Sequence, residues 1–481
     1  MVHKSLAFFK GSKPKPQAPI PQMSADPLDA LVSIITSGVK NLQSSYGKHG
    51  LPVPSLDDPI VPGPLDGDDK NNETVRLIVA AATQLIATVR HPRDTVWEQG
   101  PSMYLSALLA FVVDVDIPDI LNEAPNGSLE AKVIADKTDC DPLHIARVLR
   151  YLATRHIFKE VTPDVFANNR ISSELIKTNK KTVAELQEKP LEKYVDSGTA
   201  AYIGHVVGEG LPSSVALIEF IKTKGKADKT PFNMAFKTDK TLWDWFMIPE
   251  QSWRFGRFVA AMQHAAAPFK DEIFVNAFDW GKFDSKDIVV DVGGNMGTVT
   301  LALAKAFKKP KFIVQDLPPV IDQAKGFWSG VGPEMISSGH VELQVQDFLK
   351  PQAVKGAAVY LLRFIVHDWA EAEALQILKM LREAASPSST LILFEWSVPY
   401  ACADTEKYAD GIEVRTAPYP LLPNLGKGGG SNPTFVDINM MTLLNGQERN
   451  LKQFVALGEA SGWKLTSAKN DELSIFIYTP A

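Results

Sequence analysis

Two rhythms divide this 481-residue chain. Up to about residue 275 the apolar positions recur at helical spacing. From Asp287 on they gather into short β-branched runs separated by helix-length stretches. Between Pro27 and Gln43, Leu28, Leu31, Ile34, Ile35, Val39 and Leu42 fall on one helical face. Asp26-Pro27 supplies a cap and first-turn pair for that helix. A second helix is predicted from about Glu73 to Val89, ended by Arg90-His91-Pro92, after a Pro- and Gly-broken loop over 51–67. The apolar segment Trp97–Leu121 is too short to cross a bilayer and is expected to form a core or a subunit interface. Residues 1–26 carry Lys4, Lys10, Lys13 and Lys15 with four prolines and no arginine. They are expected to be a disordered tail, not an arginine-rich transit peptide.

Residues 128–161 read as two short helices followed by a strand, Ile157–Val161. That is the layout of a winged helix. Its basic residues (Lys132, Lys137, Arg147, Arg150, Arg155, Lys159) are matched by Glu130, Asp136, Asp139, Asp141 and Glu160, so no basic face offers itself to nucleic acid. Residues 180–275 are helical and aromatic-rich, and packing alone would explain most of those rings. The strands expected afterwards are Ile288–Val292, Lys311–Gln315, Val341–Val345, Val359–Arg363, Thr390–Glu395, Trp463–Thr466 and Leu473–Tyr478. Their alternation with helices predicts an α/β domain on a parallel sheet. The last two strands have only a short polar turn between them and should pair antiparallel at the sheet edge. The expected organisation is a tail over 1–26, a helical domain over 27–275 and an α/β domain over 276–481.

Composition narrows the class. Apolar residues make up 45% and charged residues 22%, the balance of a globular protein, and the net charge of −6 argues against phosphate-backbone binding. Cys140 and Cys402 are too few for a disulfide framework or a tetrahedral metal site. A reducing, cytoplasmic setting is expected, with no membrane span.

The chemistry gathers at the predicted strand ends. His367-Asp368-Trp369 follows the apolar run Val359–Val366. An imidazole there lies where open α/β sheets hold ligands, and it is suited to accept a proton near neutrality. Upstream, Asp291-Val292-Gly293-Gly294-Asn295-Met296-Gly297 reads as strand, glycine turn and helix. It lacks the second and third glycines of a dinucleotide fingerprint, which counts against a nicotinamide dehydrogenase. Asp316-Leu317 ends the next strand, where a carboxylate can accept from ribose hydroxyls. Asp347-Phe348 ends the third and sets a polar group beside a ring suited to a purine.

With these segments in this order, residues from about 27 onward resemble the S-adenosylmethionine-dependent O-methyltransferases of the caffeic acid and flavonoid type, in their fungal branch. The resemblance implies a seven-stranded, Rossmann-like class I methyltransferase domain behind a winged-helix-like dimerisation domain, and a homodimer. It implies S-adenosylmethionine as cofactor, leaving S-adenosylhomocysteine, with Asp291, Gly293, Gly294, Asp316, Leu317, Asp347, Phe348 and Arg363 around it. His367 would be the base that deprotonates a phenolic hydroxyl of a small aromatic substrate, flanked by Glu395 and Glu448. Either acid, hydrogen-bonded to the imidazole, would fix its tautomer. Glu448 could instead simply pair with Arg449 at a helix start. Asp368 would position the substrate or cap the following helix. Phe232, Asn233, Phe258, Met262 and Trp369 match acceptor-pocket positions, although Phe232, Phe258 and Met262 also suit a plain core. The Pro/Gly-rich stretch 400–434 would be a lid or a surface excursion. No metal is required. An N- or C-methyltransferase is the nearest alternative.

Overall fold

The structure, a computed structural model, describes residues 26–481 except 178–180, 225–228, 415, 430–431 and 470–472. The expected tail lies outside the described residues, save Asp26. Among the described residues no helix is long and apolar enough to cross a membrane.

The second half is built on a seven-stranded sheet. Its strands are β4 (Ile288–Val292), β5 (Lys311–Asp316), β6 (Val341–Val345), β7 (Val359–Arg363), β8 (Thr390–Glu395), β9 (Trp463–Lys469) and β10 (Ser474–Pro480), in the order β6-β5-β4-β7-β8-β10-β9. The first five run parallel, and β10 lies antiparallel between β8 and β9. Parallel strands covered by helices on both faces need apolar side chains on both, and Val359 to Leu362 are all fully buried. One face is covered by the helices Glu371–Ala384 and Leu451–Ala460, the other by Thr298–Ala306 and Pro318–Val331. Chain order reverses on either side of β4, which opens a crevice at the carboxyl ends of β4, β5 and β7. His367, Asp316 and the glycine turn all lie at that edge.

The first half packs around a separate core that includes Val112, Val113, Ile134, Ile145, Leu149 and Phe166. The winged unit is present with one correction. Ser128–Glu130, read as the start of a helix, is a strand (β1); with β2 (Lys159–Thr162) and β3 (Val165–Ala167) it forms a small antiparallel sheet ordered β1-β3-β2. The expected strand also starts two residues late, because His156 and Phe158 take positive φ in the preceding turn. Arg150 is bound by Glu160 and Asp164 of the wing, each at 2.7 Å, which neutralises the basic residue facing it.

The Trp97–Leu121 run crosses three α-helices and a 3-10 turn, kinked at Pro101 and bent at Asp116, whose φ is +60°. Its far end, Val112 to Leu121, is core, whereas Trp97 is 69% exposed and Val96 68%. The described part of 400–434 behaves as a strap. Gly411 and Glu413 hydrogen-bond along β9 through Ala468, and Leu421 and Leu425 then bury against Leu31, Ala80 and Ala81 of the first two helices. The two halves also share packing, since Leu443 lies in one buried cluster with Phe232, Leu242, Trp245 and Phe246.

Candidate functional site

His367 sits in a tight turn, Val366–Asp368, just beyond β7. Three features fix that turn. Phe364 takes a φ of +52°, an uncommon conformation for a bulky residue, held by its N–H donating to the Phe394 carbonyl at 3.0 Å. Glu395, at the end of β8, accepts from the Ile365 and Val366 N–H groups with one oxygen, at 3.0 and 2.9 Å. The loop Asn445–Arg449 then docks from outside: the Gln447 N–H donates to the His367 carbonyl at 2.8 Å, and Gly446 lies so close that any Cβ would overlap that carbonyl.

This docking delivers Glu448. Its Oε1 lies 2.5 Å from His367 Nδ1, while Asp368 Oδ1 is 3.4 Å from Nε2. The carboxylate that grips the imidazole is therefore Glu448, and Glu395 acts mainly on the backbone beneath it. Arg449 does not pair with Glu448. It is buried, donates to the carbonyls of Val366 and Trp369, and pairs with Glu371 at 3.0 Å, which staples the turn. Asp368 does not cap the next helix, which starts at Glu371 without a side-chain cap. The sequence does not show that Arg449 and Gly446 seat this turn, nor that Asp437 Oδ1 accepts from the Glu448 N–H at 2.9 Å. Only the glycine before the acid hinted at close backbone approach.

Four titratable groups crowd this turn. Burial disfavours charge on His367, but Glu448, Asp368 and Glu395 outweigh it and hold the imidazole well above its ordinary pKa of 6.5. Burial pushes Glu395 and Asp368 above the usual carboxylate range, with His367 opposing. His367, Glu395 and Glu448 can bring one ligand atom each within 4.8 Å of one another, as a metal site would. However, His367 Nδ1 is already bonded to Glu448, and one oxygen of Glu395 to two backbone N–H groups. The ring of Phe364 stands 5.5 Å from the imidazole and 5.0 Å from Trp396, so aromatic rings adjoin His367.

The cofactor side is formed by the glycine turn. Gly293 has φ +68°, and a Cβ there would meet Ile365 at 2.6 Å and Phe348 at 3.3 Å. Asn295, standing in for a glycine, takes φ +53°, a conformation that asparagine tolerates. Its N–H donates to Asp316 Oδ2 at 2.9 Å and the Leu317 N–H to Oδ1 at 2.7 Å, which aims that carboxylate across the turn. Asp291 lies beneath: it is 2% exposed, accepts from the Thr300 hydroxyl at 2.7 Å, and burial raises its pKa to about 6. Asp347 accepts from the Leu349 N–H at 2.9 Å, and Phe348 meets Trp369 edge-on at 5.8 Å. Arg363 is packed among Phe269, Phe274 and Phe364, and its buried Nε has no partner among the described residues. A nucleoside with an amino-acid tail fits these groups: acceptors for its hydroxyls, a ring for its base and a cation for its carboxylate.

The expected acceptor residues divide. Phe232 is fully buried against Phe236 and Trp245, and Asn233 spends its amide on Thr230, Thr238 and Lys240, so both serve the fold rather than a ligand. Phe258 and Met262 lie together on the helix Ser252–Ala266, with Met262 36% exposed.

Comparison with known proteins agrees with this geometry. The family model for an O-methyltransferase domain matches residues 217–416, and that for an O-methyltransferase dimerisation domain matches 97–178. An O-methyltransferase of Armillaria gallica is 33% identical over 91% of this chain and 94% of its own. Chlorophenol O-methyltransferase of Trichoderma longibrachiatum is 28% identical over 90% of this chain and 84% of its own. Among solved structures, mitomycin 7-O-methyltransferase MmcR shares the fold with a TM-score of 0.60 at 21% identity, over 81% of this chain and 98% of that one. Relatedness along nearly the whole length places this chain in the family of S-adenosylmethionine-dependent O-methyltransferases.

Proposed function

We propose that the chain methylates a phenolic hydroxyl of a small aromatic molecule, with His367 as general base and Glu448 as the carboxylate that orients it. The observation that carries this reading is the 2.5 Å contact between His367 Nδ1 and Glu448 Oε1, which commits one ring nitrogen and leaves Nε2 to exchange a proton with the acceptor. The cofactor, when bound, supplies an electrophilic methyl group on a sulfonium, so the protein has to align the acceptor and take its proton. A phenol has an ordinary pKa of about 10 and is mostly protonated near pH 7. An imidazole whose own pKa is raised approaches it in basicity, and proton transfer between the two is then close to balanced. Asp368, 3.4 Å from Nε2, stabilises the imidazolium that forms. Phe364 and Trp396 offer ring faces to an aromatic acceptor. The relative named for chlorophenol supports the same substrate class.

A panel of phenols, anilines and activated carbon acids, read by product mass spectrometry, tests this reading. Methyl transfer to phenolic oxygen is expected. Products methylated only at nitrogen or carbon would refute it.

A further inference from the structure

Three amide side chains meet at the ends of β5 and β6, where packing alone would favour apolar ones. Gln315 and Gln344 are register partners on the two strands, and Gln352 reaches them from the loop that follows β6. Gln315 Nε2 donates to Gln344 Oε1 at 2.6 Å and to Gln352 Oε1 at 2.8 Å, which spends both its hydrogens. Gln352 Nε2 donates back to Gln315 Oε1 at 2.8 Å. Gln315 is 1% and Gln352 2% exposed. Buried amides cost stability unless they find partners, and a satisfied network of them specifies one arrangement. The cluster therefore fixes geometry rather than filling space.

What it fixes is the loop 346–354. Gln352 Oε1 also accepts from the Val354 N–H at 2.9 Å. At the other end of the loop, Gln346 Nε2 donates to the Asp347 carbonyl at 2.8 Å, and the Gln346 N–H to the Asp316 carbonyl at 3.0 Å. Between these ties stand Asp347 and Phe348. Asp347 Oδ1 is held by the Leu349 N–H, whereas Oδ2 has no partner among the described residues. Gln315 is tied to the facing side of the cleft as well, because its carbonyl accepts from the Gly294 N–H at 3.0 Å. One residue thus joins the glycine turn through its backbone and the loop of Asp347 through its amide. Its chain neighbour is Asp316, whose carboxylate spans the turn.

We propose that the Gln315–Gln344–Gln352 cluster is a positioning element that sets the purine specificity of the cofactor site. It holds Asp347 so that the free carboxylate oxygen accepts from a 6-amino group, and a purine with a carbonyl there is disfavoured. The proposal rests on the placement of the cofactor given above and not on the identity of the acceptor. Full-length protein is titrated calorimetrically with S-adenosylhomocysteine and with S-inosylhomocysteine, which carries a carbonyl in place of the amine. The wild type should favour the adenine compound about tenfold or more, the worth of one charge-assisted hydrogen bond. In Gln352→Met that ratio should fall towards one, and the melting temperature should drop because the Gln315 amide is left buried and under-paired. Gln315→Met/Gln352→Met removes both partners, so the melting temperature should recover while the ratio stays low. The ratio decides, since any general loss of folded protein cancels in it. Equal affinity of the wild type for the two compounds, or a wild-type ratio in either folded variant, overturns the proposal. Failure of the cofactor placement would show separately, as unchanged affinity for S-adenosylhomocysteine in Asp316→Ala.

Discussion

At the scale of the residue, the site turns on the negative charge that three carboxylates set around one imidazole. His367 works as a base only when neutral, so the rate should rise with pH as the imidazole loses its proton. Because the surrounding carboxylates raise its pKa, that rise should lie above the 6.5 of an ordinary histidine. Glu448→Gln removes the strongest of the charges that favour the imidazolium, so the rise should move to lower pH while the plateau falls with the loss of orientation. Glu395→Gln should move it less, since Glu395 weighs least among those charges. Profiles of rate against pH on one phenol check both, and an unmoved rise in Glu448→Gln would contradict the electrostatic account. On the cofactor side, Gly293→Val adds a side chain where Ile365 and Phe348 leave no room, at positive φ, and Asp316→Ala removes the carboxylate that spans the turn. Titration with S-adenosylhomocysteine should show clear weakening in both with the fold intact by circular dichroism. Unchanged affinity in both would refute the placement of the cofactor.

At the scale of the element, the proposed catalytic pair of His367 and Glu448 depends on the loop Asn445–Arg449 seated against the His367 turn. Gly446→Val should unseat it, because its Cβ would overlap the His367 carbonyl, and the rate should drop by about 10² or more, the lower range for losing a general base. Binding of S-adenosylhomocysteine should persist, and near-wild-type turnover would show that the loop does not place Glu448. Sequence alone reveals such elements unevenly. β4, β7 and β8 are expected at the ends observed, because strands buried on both faces leave largely apolar runs between turns, whereas β6, at the sheet edge, shows instead the alternation of Val341, Leu343 and Val345 with polar residues. The strand β3 spans three residues, too few to show alternation, and the π-helical turn Val206–Gly210 departs from any simple period. Glu448 and Arg449 are neighbours in the chain but face different partners, which spacing cannot show. Asn233 matched a pocket position, yet local capping of its own helix claims its amide.

At the scale of the whole molecule, the first half offers a surface the second half does not cover. Val96, Trp97, Met103 and Tyr104 lie in or beside the segment matched by the dimerisation model and are largely exposed in the single chain. We propose that a second copy buries them. Sedimentation of the full-length protein should give a dimer, and Trp97→Glu should shift it towards monomer. A monodisperse, active wild-type monomer would refute the proposal.

The most direct test of the account is the turnover of His367→Ala at pH 7 on an accepted phenol, with affinity for S-adenosylhomocysteine measured on the same sample. The rate should fall by roughly 10²–10⁴, the usual range for removing a general base, while cofactor affinity stays near that of the wild type. The deficit should shrink only above the raised pKa of His367, where the wild-type rate has levelled and the phenol ionises without help. Wild-type turnover at pH 7 would make His367 a structural neighbour and leave alignment alone to carry the catalysis.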